Sequence, residues 1–159
     1  MADVVEAAVR SRMMSAIRGK NTRPEWMVRR YLHARGYRFR LHRKDLPGSP
    51  DLVLPRFRLA ILVHGCFWHR HLGCFYATSP ASREDFWKRK LDGNVERDQR
   101  QLWELAELGW RTLVVWECGL RGSPDDLREL PALIESDQVR MEWPAVPPRQ
   151  RVTALEPLP

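Results

Sequence analysis

Apolar side chains at helical spacing first occur after residues 1–20, a charged and weakly periodic stretch that the sequence predicts to be a poorly packed arm. Thr22 and Glu25 have the spacing of a capping box, and Pro24 falls in the first turn. Gly36 supplies a stop. A helix is therefore predicted from Thr22 to Gly36, with an inward stripe of Met27, Val28, Tyr31 and Leu32.

Apolar runs predict two buried strands farther along the chain. Residues 59–63 are all apolar and lead into His64, as expected for a central strand covered on both faces. Residues 112–116 predict a second buried strand. Shorter extended segments are predicted over 37–42 and 51–54, separated by turns that contain proline and glycine.

Three further helices are predicted, over 82–91, over 94–109 and over 125–134. With the helical sequence over 82–109 counted once, the order helix, three strands, helix, strand, helix predicts an α/β fold, a mixed sheet with helices on both faces. Functional loops in such sheets gather at strand ends. Asp51 and the loop at His64 follow this rule on neighbouring strands, so we expect them to meet.

Composition adds a partner class to this outline. A chain of 159 residues is about one domain, and the domain is predicted here over 21–140, after the arm. A proline-rich tail follows over 141–159, and it is predicted to be either an ordered strap or a loose segment. The net charge of +7 favours a polyanionic partner, although a basic protein without a charged partner fits as well. We expect a soluble, cytoplasmic protein, because no stretch reaches the ~20 apolar residues of a membrane span.

The segment 64–74 concentrates metal-binding chemistry. It contains three histidines and two of the three cysteines, and an odd cysteine count favours a reducing compartment. A tetrahedral structural zinc site takes four such ligands. The predicted zinc ligands are Cys66, His71, Cys74 and Cys118. His69 could replace His71 in this set, and the alternative to a zinc site is three unrelated buried cysteines.

Candidate catalytic residues surround the same segment. Asp51 opens a strand after a tight turn, where a carboxylate can bind Mg²⁺. His69 or His64 could transfer a proton near neutral pH, with Asp98 orienting one of them. Each residue also has a plain structural interpretation: a turn for Asp51, a helix cap for Glu25 and a core position for His64.

Adjacent aromatics suggest stacking against bases. Phe67 and Trp68 lie between a predicted zinc ligand and a predicted base, and Trp87 follows Phe86 early in a predicted helix. Apolar wedges of this kind unstack and kink DNA, and Met14 in the arm could insert as well. Core packing is the alternative, and it is preferred for Trp103, Trp110, Trp116 and Trp143.

Several strings between Val9 and Gly122 resemble those of the Vsr family, the very-short-patch-repair endonucleases of bacteria. They are Arg-Ser-x-x-Met-x-x-Ile, Leu-Pro-Gly-x-Pro-Asp, His-Gly-Cys-Phe-Trp-His, Asn-Val-Glu-Arg-Asp and Leu-Gly-Trp-Arg-x-Leu-x-Val-Trp-Glu-Cys. The resemblance implies a three-layer, restriction-endonuclease-like fold with a structural zinc site. It also implies a nucleoid-associated protein that acts in the bacterial cytoplasm as a monomer.

The resemblance further implies a reaction. The enzyme would use Mg²⁺ to nick one DNA strand on the 5′ side of the mispaired T in a T:G mismatch, which starts very short patch repair. Such mismatches arise when 5-methylcytosine deaminates, so a DNA cytosine-5 methyltransferase is the implied genetic partner. A double-strand endonuclease of the same fold and a zinc-stabilised DNA-binding protein without catalysis are the other hypotheses.

Residue roles follow from the resemblance position by position. Asp51 would bind the metal together with Val63, a position where the family usually has threonine. That position would serve the metal either through its main-chain carbonyl, which Val63 keeps, or through the threonine hydroxyl, which Val63 lacks and without which activity would suffer. His69 would be the base and Asp98 its partner, and Glu25 and His64 would support the site. The wedge would consist of Phe67, Trp68 and Trp87 in the major groove and Met14 in the minor groove.

The zinc set Cys66, His71, Cys74 and Cys118 also carries over from the family. The loop before Cys74 is one residue longer than usual and contains Leu72 and Gly73. Gly73 is expected to absorb the change, because glycine adopts backbone angles that other residues avoid.

Overall fold

A computed structural model of the chain describes residues 20–122 and 124–151. The first described helix, α1, spans Arg23–Ala34, and its cap confirms the predicted start. The Thr22 hydroxyl accepts a hydrogen bond from the Glu25 main-chain N–H at 3.4 Å. The Glu25 carboxylate in turn accepts one from the Asn21 N–H at 2.9 Å. These bonds pair one N–H of the first helical turn, which the helix itself cannot satisfy, and the N–H of the residue before the cap.

A five-stranded mixed sheet forms the centre of the fold, with its strands in sequence order. The first three strands are antiparallel neighbours, and the last three are parallel neighbours. This arrangement confirms the predicted mixed α/β sheet. The strands are β1 (Arg40–Leu41), β2 (Leu52–Leu54), β3 (Leu59–His64), β4 (Arg111–Trp116) and β5 (Arg140–Trp143).

Two strands differ from the prediction. The extended segment 37–42 pairs only at Arg40–Leu41, where both residues are exposed. The strand Arg140–Trp143 was not predicted, because it is short, alternates buried and exposed residues and lies at the sheet edge. It crosses the predicted start of the tail at residue 141, so residues 141–143 pack with the domain.

Alternation along the strands divides the core between the two faces of the sheet. One face joins Leu52, Ile61 and Leu113 to side chains of α1 and of the last helix, α3 (Glu129–Ile134). The other face joins Val53, Ala60 and Val114 to the long helix α2 (Glu84–Glu107). The prediction of helices on both faces is therefore confirmed.

Helix α2 is continuous where two helices were predicted. A glycine inside a helix costs only about 1 kcal/mol, which the burial of Leu102 and Leu105 can offset. Gly93 therefore does not interrupt the helix, and Asn94 directs its amide to the Trp68 carbonyl at 3.1 Å instead of starting a new helix. The last helix is also modified, because a 3₁₀ segment, Pro124–Arg128, precedes α3.

The described part of the C-terminal segment is an ordered strap. The Phe75 N–H donates to the Arg149 carbonyl, and the Arg151 N–H donates to the Gly73 carbonyl, both at 2.9 Å. Cys74 and Gln150 form an isolated bridge between these two bonds. The strap therefore covers the loop that carries the predicted zinc ligands. No helix within 20–122 or 124–151 is long and apolar enough to cross a membrane.

Candidate active site and metal clusters

A cleft of about 1380 Å³ opens where β2, β3 and β4 meet the loops around them. Two polar clusters and two tryptophans, Trp68 and Trp87, line it. Basic side chains also contribute to the walls, which favours an anionic ligand such as the backbone of a nucleic acid. They are Lys20, Lys44, Arg83, Lys90 and Arg97.

Asp51 lies at the cleft wall because β2 and β3 run antiparallel. Asp51 immediately precedes β2, and its carboxylate accepts a hydrogen bond from the Val63 main-chain N–H at 2.7 Å. Val63 is the residue before His64 in β3. The predicted meeting of Asp51 with the His64 end of the neighbouring strand is therefore confirmed.

A carboxylate, an imidazole and a guanidinium surround Asp51. Glu25 is 2 % exposed and pairs with Arg29 at 3.0 Å. His42 lies between the two carboxylates, with Nε2 at 3.4 Å from Glu25 Oε2 and Nδ1 at 3.8 Å from Asp51 Oδ1. One ligand atom from each of Glu25, His42 and Asp51 lies within 4.8 Å of the others, so this set has the geometry to bind a cation.

The electrostatics of this cluster also favour a cation. Burial, with a smaller contribution from the nearby Glu25 carboxylate, raises the pKa of Asp51 to about 7, although the Val63 N–H and Arg29 act in the opposite direction. A buried carboxyl with a raised pKa is costly to ionise alone. A divalent cation would favour the ionised form, and carboxylate oxygen is the donor that Mg²⁺ prefers.

His64, His69 and Asp98 form the second cluster in the cleft. His69 Nδ1 lies 2.6 Å from Asp98 Oδ2, which confirms that Asp98 is near enough to orient this ring. The ring of His64 stacks on that of His69, with centroids 3.8 Å apart and planes 6° apart. Burial and then the neighbouring His69 hold the pKa of His64 well below its usual value, so His64 stays neutral.

The contact with Asp98 fixes the chemistry that His69 can perform. A carboxylate only accepts hydrogen bonds, so the proton of a neutral His69 ring is assigned to Nδ1. Nε2 then keeps its lone pair and can accept a proton in the cleft, while Asp98 stabilises the resulting imidazolium. His69 is therefore suited to act as a base, and the buried, neutral His64 is suited to support it.

A third cluster, of buried thiols and one imidazole, lies outside the cleft at the ends of β3 and β4. His71 Nδ1 lies 3.7 Å from Cys66 Sγ and 3.4 Å from Cys118 Sγ. The side chains of Cys66, His71, Cys74 and Cys118 are all buried, and their ligand atoms lie within 4.8 Å of one another. The alternative of three unrelated cysteines is therefore wrong. His71, not His69, is the imidazole of this cluster.

Local backbone geometry explains how a short loop brings these side chains together. Cys118 follows β4, which is the parallel neighbour of β3, so it reaches the loop that follows β3. Gly73 has φ of +71°, a conformation that costs glycine little, which confirms its expected part in the longer loop.

The donor set fits a soft divalent metal. A hydrogen bond to Cys118 and burial both raise the pKa of the Cys66 thiol, and burial raises that of Cys74. Packed thiols of this kind are poorly suited to ionise without a cation. Zn²⁺ takes thiolate sulfur and imidazole nitrogen in a tetrahedral set.

The predicted wedge residues pack against one another beside the cleft. Ring centroids lie 5.1 Å apart for Phe67 and Trp68, 5.7 Å for Phe67 and Trp87, and 6.0 Å for Trp68 and Trp87. All three are partly exposed, so each keeps a surface for contact. Met14, the fourth predicted wedge residue, lies outside the described residues.

The other tryptophans divide into two groups. Trp110, Trp116 and Trp143 are buried, as predicted for core residues. Trp103 is 63 % exposed, so the core interpretation is wrong for it. It lies on α2 one position after the buried Leu102, which turns it away from the sheet.

Sequence reasoning missed Arg29 and His42. Arg29 follows Glu25 by four residues, the spacing of an ion pair along a helix, and that signal was available. His42 closes the hairpin opposite Asp51, to which its N–H donates at 3.4 Å. Only the strand pairing reveals this neighbour.

Comparison with known proteins gives consistent similarities. The family model "DNA mismatch endonuclease Vsr" matches residues 2–75. The type II nicking enzyme V.XorIIP of Xanthomonas oryzae is 54 % identical over 120 residues, covering 76 % of this chain and 88 % of that protein. DNA mismatch endonuclease Vsr of Escherichia coli is 48 % identical over 122 residues, covering 77 % and 78 %. The type II nicking enzyme V.NmeAIP of Neisseria meningitidis is 40 % identical over 121 residues, covering 76 % and 86 %.

Proposed function

This chain belongs to the Vsr family of DNA mismatch endonucleases and is a DNA-cleaving endonuclease, and we propose that its substrate is a T:G mismatch in duplex DNA. It nicks one strand on the 5′ side of the mispaired T and thereby starts very short patch repair. The observation that carries this proposal is that a carboxylate cluster, a histidine–aspartate pair and a group of aromatic rings meet in one cleft.

Mg²⁺ is the proposed catalytic cation, and the residues present fit it. Asp51 and the main-chain carbonyl of Val63 would hold it, with Glu25 supporting Asp51. When bound, Mg²⁺ would stabilise negative charge that develops on the phosphate. The side chain of Val63 cannot donate a ligand atom, so the departure from the family threonine is compatible only with a main-chain role.

His69 is the proposed general base. It accepts the proton of the attacking water at Nε2, because Nδ1 is bonded to Asp98. Asp98 is 8 % exposed, and a carboxylate with so little solvent stabilises the imidazolium strongly. His64 adds no second charge, because its pKa is lowered by burial.

Recognition of the mismatch is assigned to the aromatic cluster. Phe67, Trp68 and Trp87 would enter the major groove, with Met14 inserted from the minor groove. A mismatched pair costs less to unstack than an intact one, so an inserted wedge favours the mismatch. The basic residues of the cleft would hold the phosphates without reading sequence.

Structural zinc at Cys66, His71, Cys74 and Cys118 would hold the loop that presents these groups. Phe67, Trp68 and His69 lie between two of the proposed ligands, so a fixed loop fixes wedge and base together. Apparent zinc binding energies in small domains are about 10–16 kcal/mol, enough to order a loop that has little core of its own.

The biological setting follows from the proposed substrate. A T:G pair produced by deamination of 5-methylcytosine requires a DNA cytosine-5 methyltransferase in the same cell. The enzyme would work in the bacterial cytoplasm, on the DNA of the nucleoid. A single asymmetric mismatch needs only one active site, so we propose a monomer.

A strand-specific nicking assay tests the proposal. Duplexes carry T:G, C:G or T:A at one position in several sequence contexts, with each strand labelled separately, in the presence and absence of Mg²⁺. We expect one nick, 5′ of the mispaired T, only in T:G duplexes and only with Mg²⁺. Cleavage of both strands would instead indicate a double-strand endonuclease, and mismatch binding without any cleavage would indicate a binding protein.

A further inference from the structure

His42 occupies the space between the two carboxylates of the cleft and has no role in the function described above. Its side chain is 19 % exposed, close to the 18 % of Asp51, and it lines the same cleft. Its backbone has φ of +46°, in the left-handed region that non-glycine residues adopt at a cost. The hydrogen bond from its N–H to the Asp51 carbonyl, at 3.4 Å, keeps the two residues side by side.

The partner of His42 Nε2 determines where the ring carries its proton. Arg29 places a guanidinium nitrogen 2.9 Å from Nε2, and a guanidinium can only donate. Nε2 is therefore assigned as the acceptor, which places the proton of a neutral ring on Nδ1. The competing partner, Glu25 Oε2, would require a proton on Nε2, but it lies farther away, at 3.4 Å.

The opposite nitrogen of the same ring faces the proposed metal ligand. Nδ1 lies 3.8 Å from Asp51 Oδ1, while the Val63 N–H occupies the other carboxylate oxygen, Oδ2, at 2.7 Å. An Nδ1–H group at this place has no lone pair to offer a metal ion. It can donate to Asp51 directly after a small closure, since catalytic hydrogen bonds are often long before substrate binds.

We propose that His42 is a positioning residue that holds the Asp51 carboxylate in its metal-binding orientation, through an Nδ1–H fixed by Arg29. This inference rests on the proposed function, in which Asp51 holds the catalytic cation. The same Arg29 nitrogen also lies 3.0 Å from Glu25 Oε2 and 3.0 Å from Asn21 Oδ1, so its two hydrogens are shared among three acceptors. The start of α1 therefore controls Asp51 through the His42 ring.

Two substitutions of nearly equal shape test this role. His42→Asn keeps a side-chain N–H at about the position of Nδ1, and asparagine tolerates the left-handed backbone. His42→Leu keeps the volume and removes the donor. The readouts are the Mg²⁺ concentration for half-maximal nicking, the KM for DNA, and Mn²⁺ binding followed by electron paramagnetic resonance.

We expect His42→Leu to weaken Mn²⁺ binding and Mg²⁺ activation roughly 10–100-fold, the usual effect of losing a partner of a metal ligand, with little change in KM for DNA. His42→Asn should recover most of this loss. Equal losses in both variants, or no loss in a folded His42→Leu protein, would overturn the inference. Asp51→Asn separates the two proposals: if it still binds Mn²⁺ and nicks DNA, the proposed metal site itself is wrong.

Nitrogen-15 NMR of the wild-type protein tests the tautomer directly. Spectra of the zinc-containing protein without added Mg²⁺, at alkaline pH, distinguish a proton on Nδ1 from one on Nε2. The His42→Asn spectrum identifies the His42 signals by their absence. We expect the Nδ1–H form. An Nε2–H form would overturn the positioning role and would make Nδ1 a metal ligand instead.

Discussion

The thiol cluster and the catalytic cleft lie at the ends of the same strands, yet they differ in burial and in the atoms that could bind a metal. Cys66, His71, Cys74 and Cys118 are between 1 % and 6 % exposed, and their donors are sulfur and nitrogen. The side chains of His69 and Asp51 are 25 % and 18 % exposed. A closed, soft donor set suits a metal that holds the loop, and an open oxygen set leaves room for water and phosphate.

Trp116 forms the wall between the two regions. Its ring stacks on His71 of the thiol cluster, with centroids 4.1 Å apart and planes 7° apart. The same ring meets His64 of the cleft edge-on, with centroids 5.3 Å apart. A loop of a few residues can therefore send His64 and His69 to one side and Cys66 and His71 to the other. Substitutions on the two sides should have separable effects.

The largest effect is expected in the thiol cluster. Cys74→Ala leaves three ligands in a buried site, so it should lose zinc and soluble protein together, because zinc binding is also folding free energy. Metal analysis and the yield of folded protein measure both. Leu72→Ala, at a 90 % exposed position of the same loop, is the matched control and should change neither. A stable, metal-free Cys74→Ala protein would contradict the structural role.

The next effect is confined to the cleft. His69→Gln removes the proposed base and should lower the single-turnover nicking rate about 10²–10⁴-fold, while zinc content and DNA affinity stay near wild type. Asp98→Asn acts through His69, so the double variant should lose little more than His69→Gln alone. Additive losses would mean that Asp98 has a separate function.

Asp51 offers a pH-dependent test of the open cluster. Its pKa is about 7 in the folded protein and ~3.9 when unfolded. Between these values the folded state keeps a proton that the unfolded state has lost, so stability falls as pH rises through this window. Asp51→Asn removes that cost.

The free energy of unfolding of Asp51→Asn should therefore rise relative to wild type between about pH 4 and pH 7, by at most about 4 kcal/mol. Urea titrations of both proteins, with no Mg²⁺ added that could stabilise the ionised Asp51 carboxylate, measure the difference. A difference that does not vary with pH, or one that favours wild type as pH rises, would show that Asp51 ionises freely.

The smallest effect is expected at the aromatic cluster. Trp68→Ala should weaken binding to T:G duplexes by roughly 1–3 kcal/mol, the usual contribution of stacking on a base, and should weaken binding to matched duplexes less. Competition binding with the two duplexes measures the preference. Equal losses for both duplexes would assign Trp68 to packing. Trp103→Ala, at the exposed position on α2, is the control and should alter neither.

The sequence predicted those parts of the molecule that are determined by residues close together in the chain. The strands Leu59–His64 and Arg111–Trp116 were identifiable from apolar runs, because a central strand is buried on both faces. The start of α1 was identifiable from Thr22 and Glu25, because capping uses residues close in sequence. Parallel pairing of these two strands then brings Cys118 to the loop that carries Cys66.

Features that depend on distant partners were missed. The edge strand Arg140–Trp143 is set by pairing with β4 and has only a short alternating pattern of its own. The continuity of α2 depends on packing that outweighs Gly93. His42 gains its neighbours only when the hairpin closes and α1 places Arg29 above it. In each case tertiary contacts, not propensity, decide the outcome.

The division of labour between the two regions is tested most directly by measuring zinc content and nicking in one preparation of Asp51→Asn, beside wild type. We expect both proteins to contain one zinc per chain, and only wild type to nick a T:G duplex when Mg²⁺ is added. Loss of zinc from Asp51→Asn, or nicking that persists without the carboxylate, would contradict the separation of a closed structural cluster from an open catalytic one.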